Sequence, residues 1–134
     1  MAFNAEAIRE CAMRARNFPE LALSFLRLGM HSYTVDVASH ATLYRSLDGE
    51  IVQLPGQPGA PVTAPFNAEA TLAAIRRNQR GESDYHGFMQ DIRAAGVKRY
   101  ETLLTGTKPR CIYFGSANGV DGQLEEPIHY PEAG

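Results

Sequence analysis

The 134-residue chain has no tryptophan and only two cysteines, Cys11 and Cys111. Neither stands in a Cys-x-x-Cys pair, which excludes a zinc knuckle and a dithiol redox motif. Long hydrophobic runs are missing too: none approaches the about 18 residues that a membrane-spanning helix needs. The first residues carry Glu6 early and lack a basic-then-apolar pattern, so no signal peptide is read. Few thiols and no export signal together read as a cytoplasmic protein with free cysteines and no membrane partner. An excess of one charge is also absent. Lys and Arg number 13 against 15 Asp and Glu, a formal charge of -2. A broad nucleic-acid footprint needs clustered cations, so nucleic acid is not expected as a partner. The basic clusters, Arg76-Arg77 with Arg80 and Lys98-Arg99, are short and read as solvated faces.

Signatures of chemistry are equally scarce. His31, His40, His86 and His129 contain no pair at helical ligand spacing, so no metal and no cofactor is expected. There is no Gly-x-Ser-x-Gly elbow. The glycines of GSANGVDG follow a strand-like stretch and lead to no helix, so they read as a turn with one extra loop rather than a phosphate cradle. Cys11 falls on the apolar stripe of a helix and Cys111 alternates on a strand; both read as packed, inert thiols.

What is present is a repetition. The pentapeptide FNAEA occurs at Phe3–Ala7 and again at Phe66–Ala70. Each copy opens a helix-like segment, continues into a second one, and reaches Gly-x-x-x-Tyr, at Gly29–Tyr33 and Gly96–Tyr100. A β-like stretch follows, then another carrying Tyr44 or Tyr113, then a turn dipeptide, Asp48-Gly49 or Asn118-Gly119. Five landmarks in one order indicate tandem duplication. Asn4 and Asn67 suit N-caps, as does Ser83 or Asp84, and Pro19 suits a first helical turn. Gly29 and Gly96 suit the left-handed residue past a helix end. SYTVDVA alternates, with Tyr33, Val35 and Val37 on one face. The last strand-like segment is weaker, around Leu124 to Tyr130. Between the copies, LPGQPGAPVTAPF reads as a semi-rigid linker that packs little. The expected architecture is α+β: duplicated helix-helix-hairpin units sharing one mostly antiparallel sheet, helices on one face. The expected organisation is a single domain over 1–134, with repeats at 3–54 and 66–131 joined by the linker 55–65.

The stretch AAIRRNQRGESDYHGFMQDIRAAGVKRYETLLTGTKPRCIYFGSANG resembles the YdfO-like family, small bacterial and prophage-associated proteins of unknown function. The likeness rests on Gln79-Arg80-Gly81, the aromatics Tyr85 and Phe88, the run Ala95 to Tyr100, Tyr113-Phe114-Gly115, and Glu126 with Tyr130-Pro131. It covers Phe66 to Pro131 well and the first half more loosely. The proline linker and the insertion Ala117 to Val120 depart from it, leaving the register of the last strand open. The resemblance implies an α+β fold and a soluble cytoplasmic protein. It implies no activity.

The most suggestive residues are four tyrosines at matching positions, Tyr33 with Tyr100 and Tyr44 with Tyr113. A ring with a polar tip suits sheet packing and binding surfaces alike. The leading expectation is a non-catalytic binding module for a small molecule or peptide. Its seam between repeats would be lined by Tyr33, Tyr44, Tyr100 and Tyr113, with Glu101 and Arg110 as orienting charges. The alternatives are a small enzyme using Glu101 or His31 as general base at that seam, or a prophage-type protein that contacts a host protein. Asp36 and Glu101 could form a carboxylate pair across the seam, although they lie seven and five residues after Gly29 and Gly96. Unpaired outer strands leave room for a homodimer.

Overall fold

The computed structural model describes residues 2–131. Each helix begins where a short polar side chain satisfies a free backbone N–H. Asn4, Asn17, Asn67 and Asp84 accept from the N–H three residues on, at 2.8, 3.0, 2.9 and 2.8 Å. They open α1 (Ala5–Arg14), α2 (Phe18–Arg27), α3 (Ala68–Gln79) and α4 (Tyr85–Ala94). Gly29 and Gly96, with φ of +93° and +86°, close α2 and α4 in the left-handed conformation. The chain then passes straight into β1 (Met30–Asp36) and β4 (Val97–Leu103). Two more strands complete each half: β2 (Thr42–Ser46) and β3 (Ile51–Leu54), then β5 (Arg110–Ala117) and β6 (Val120–Pro127).

The six strands form one sheet in the order β3-β2-β1-β4-β5-β6, every neighbour antiparallel. All four helices contribute to the same side: α2 packs on β1, α4 on β4, α1 against β3 and α3 against β6. The fold is therefore α+β with its core between that helical layer and the sheet. At the centre, Thr34 stands opposite Glu101, flanked by Tyr33 opposite Thr102 and Val35 opposite Tyr100. A half-turn about the Thr34–Glu101 pair exchanges those two flanking pairs of positions. The sheet thus has a local two-fold axis between β1 and β4.

Two local expectations change. Asn118 and Gly119, at φ +53° and +76°, make a two-residue turn whose twist matches its strands. The last strand therefore starts at Val120 rather than near Leu124, and GSANGVDG is mostly paired strand with no extra loop.

The proline-rich segment also does not behave as a loosely packed linker. It has no regular secondary structure, yet Val62 is only 9% exposed and joins the core. The Arg93 guanidinium donates to the Ala60 and Pro61 carbonyls, at 2.6 and 3.1 Å. The Phe66 ring lies over Gly115 and Gly122, where a Cβ would meet it at 2.7 and 2.9 Å. The segment is a strap from one edge of the sheet to the other.

Gly29 and Gly96 separate backbone strain from strap packing. Both need a positive φ, but only Gly96 sits under the strap, where a Cβ would come 2.4 Å from the Pro65 carbonyl oxygen. Gly29→Ala should cost about 1–2 kcal/mol, the left-handed strain alone. Gly96→Ala should cost roughly 1–3 kcal/mol more, the penalty of overpacking. Urea unfolding of both variants checks this, and equal losses would show that the strap is not anchored there.

Candidate functional site

Strand alternation fixes which side chains can meet. On the helix-facing side, one cross-strand row runs Val52–Tyr44–Tyr33–Thr102–Cys111–Glu126, and the next runs Leu54–Thr42–Val35–Tyr100–Tyr113–Leu124. The four tyrosines thus form one contiguous layer across the seam. Ring centroids lie 5.4 Å apart for Tyr33–Tyr44, 6.5 Å for Tyr33–Tyr100 and 5.5 Å for Tyr100–Tyr113. Phe25 of α2 packs edge-on against Tyr33 and Tyr44, and Phe88 of α4 against Tyr100 and Tyr113. Tyr33, Tyr100 and Tyr113 are buried and Tyr44 is half-buried. Burial pushes all four hydroxyls up: Tyr33, Tyr100 and Tyr113 rise well above the ordinary 10, and Tyr44 rises to about 12. These are the groups of a packed interface between halves.

The two charges expected beside the tyrosines lie on the opposite, open face of the sheet. Glu101 sits between Thr34 and Ile112, and Arg110 donates to Glu125 at 3.2 Å. The carboxylates Asp36 and Glu101 do not meet. Asp36 pairs with Arg99 across the strands and accepts from the Ser39 N–H and hydroxyl at 2.9 and 2.6 Å, which shapes the β1–β2 turn. His31 is exposed on β1, with Nδ1 3.0 Å from the Ser32 hydroxyl. Cys111 is buried and its thiol is pushed up to about 11 by desolvation; Cys11 is raised for the same reason. The basic clusters are engaged: Arg76 with Glu126, Arg77 with Asp91, Arg80 with Glu82, Arg99 over the Phe114 ring. Among the described residues, no three His, Cys, Asp or Glu side chains gather as a metal site, and no helix is long and apolar enough to cross a membrane.

Two surface hollows lie elsewhere. One of about 460 Å³ is lined by Pro61, Thr63, Ala64, Gln90, Arg93 and Ala94. Another of about 60 Å³ lies among Val37, His40, His86, Met89, Gln90 and Arg93. Gln90 and Arg93 belong to both, so the two are lobes of one shallow groove along α4. Its walls come from the β1–β2 turn of the first half, the strap, and α4 of the second half. His40 holds a left-handed backbone at φ +64°, and its ring meets that of Tyr85 edge-on at 6.3 Å. His86 and Gln90, one helical turn apart, contact each other at 3.2 Å. None of the four seam tyrosines lines either lobe. The polar rim residues His40, His86 and Gln90 carry no sequence signal, because exposed positions follow no apolar period and their partners are distant in the chain.

Fold and site together define a small α+β protein with a solid aromatic seam and a shallow groove at one end of it. The chain belongs to the DUF1398 family, proteins of unknown function, whose profile matches residues 6–120. No curated protein and no solved structure matches it.

The seam predicts alkaline behaviour. A tyrosine whose folded pKa is raised contributes stability that is complete below its unfolded value near 10 and is lost as pH rises through the folded value. Stability should therefore hold up to about pH 10 and fall steeply above it. In a near-ultraviolet titration, the tyrosinate signal of the three buried rings should appear in one cooperative step coincident with loss of secondary structure. A single shallow curve centred near pH 10, with the fold intact, would show that these hydroxyls are not sequestered.

Proposed function

We propose that the protein is a non-catalytic binding module whose site is the α4 groove, where both halves and the strap meet, and whose ligand is an extended peptide segment. One observation supports this most: a floor of Val37 and Met89 is rimmed by His40, His86, Gln90 and Arg93, and the hollow runs on past Ala94 to the strap, open and shallow. Enclosed pockets bury most of a small ligand; an open trough suits a chain that runs along it. In this reading the tyrosines act one layer below. They hold the halves in register, so the turn carrying Val37 and His40 stays at a fixed distance from α4. The reading takes the two halves as products of tandem duplication, supported by their repeated element order and the paired registers about Thr34–Glu101. It also takes the chain as a YdfO-like member acting in the cytoplasm.

The test is a selection of random linear peptides against the purified protein, repeated with the double variant His86→Ala/Gln90→Ala. Both residues are exposed on α4, so the variant should keep its thermal midpoint. Enriched peptides should bind the native chain and lose about tenfold or more in affinity to the variant, a loss of roughly 1.4 kcal/mol. No enrichment, or peptides that ignore the substitutions, would overturn the groove as the site.

A further inference from the structure

The strap alternates with a period of three. Gly56, Gly59 and Val62 face inward: a Cβ on Gly56 would lie 1.8 Å from the Ser39 carbonyl oxygen, one on Gly59 would lie 2.0 Å from that of Ala38, and Val62 is buried. Every residue from Pro55 to Pro61 is exposed, the two glycines included, so the inward direction rests on those Cβ approaches; Pro55, Pro58 and Pro61 stand one step behind in the same count. The segment takes no positive φ and contains no cis peptide bond. Proline fixes φ near the polyproline II value. Three residues per turn without internal hydrogen bonds is the geometry of that helix. The bonds the strap makes go to its neighbours instead: the Gln57 N–H donates to the Ser39 carbonyl at 2.9 Å, and Arg93 takes the Ala60 and Pro61 carbonyls. Glycine at every third position lets the rod lie flat on the β1–β2 turn, as glycine does at the crowded axis of collagen.

We infer that Pro55, Pro58 and Pro61 form a docking ridge for a partner domain with an aromatic-lined groove that reads polyproline II. Over six residues the ridge extends roughly 19 Å at about 3.1 Å per residue. From Ile51 to Ala68 the chain has no charged side chain, so recognition rests on rings stacked against prolines rather than on charge. The fold has already ordered the rod, which removes most of the entropy loss on binding. The ridge is independent of the α4 groove; Pro61 alone borders both and is left unchanged in the test.

The probes are a ¹⁵N-labelled WW domain and a ¹⁵N-labelled SH3 domain, each titrated with the whole protein to about 1 mM, where millimolar affinities register. The inference expects shifts confined to the aromatic groove of at least one probe. They should vanish with the double variant Pro55→Ala/Pro58→Ala, whose circular dichroism and thermal midpoint should match the parent. If the double variant melts early, Pro58→Ala is measured in its place. Absence of shifts with both probes, or shifts that persist in a folded variant, would overturn the ridge.

Discussion

One pairing sets the sheet: Thr34 of β1 against Glu101 of β4. It puts Tyr33 and Tyr100 on the same face, diagonal to each other, and the hairpins then add Tyr44 and Tyr113 to the same layer. Side chains on a strand alternate with period two, so a slip of one residue at this pairing would send one half's tyrosines to the open face. It would also bring charges such as Asp36 or Glu101 under the helices, without partners. Edge-to-face aromatic pairs add about 0.5–1.5 kcal/mol each beyond burial. Phe25 and Phe88 each clasp two tyrosines, so the layer itself enforces the register.

The two halves reach this packing by different means. Phe25 lies four residues before Gly29, whereas Phe88 lies eight before Gly96, one helical turn farther back. Across the axis, Val35, Thr42 and Leu54 of the first half correspond to Thr102, Cys111 and Glu126 of the second. The first half ends this row mostly aliphatic and the second half ends it polar, closed by Arg76 on Glu126 and by Thr102 beside Cys111. The half-buried Glu126 carboxylate has its cation in Arg76, and α3, at 12 residues against the 10 of α1, also brings its last residue, Gln79, to it.

Much of this was legible in the sequence because it is local. Caps at Asn4 and Asn67, left-handed glycines at 29 and 96, and alternation in SYTVDVA each act within a few residues, and together they give the element order. The grouping of the tyrosines follows from their matching places in the two halves. The same alternation already separates Glu101 and Arg110 from them, at odd offsets from Tyr100 and Tyr113, which is why both charges emerge on the open face. What the sequence hid depends on tertiary approach. The fit of Gly56 and Gly59 on the Ser39 and Ala38 carbonyls is invisible in a composition that reads only as proline-rich. Arg93 reads as a surface cation until the strap's carbonyls are seen above it.

The proposed groove and ridge also have a geometric origin. A two-fold axis through a close-packed sheet leaves nothing open at its centre: each ring there is matched by its symmetry mate, and burial pushes the Tyr33, Tyr100 and Tyr113 hydroxyls well above their ordinary pKa. The proposed sites lie at a place where the symmetry fails and surface remains. The strap provides it, because one connection joins the halves and must cross one end of the seam. It walls the gap between the β1–β2 turn and α4, which makes the groove. It also leaves its own prolines exposed, while Gly56 and Gly59 lie where a Cβ would strike the turn. The connection between the halves therefore generates both surfaces, while the tyrosine layer holds the ground on which it lies.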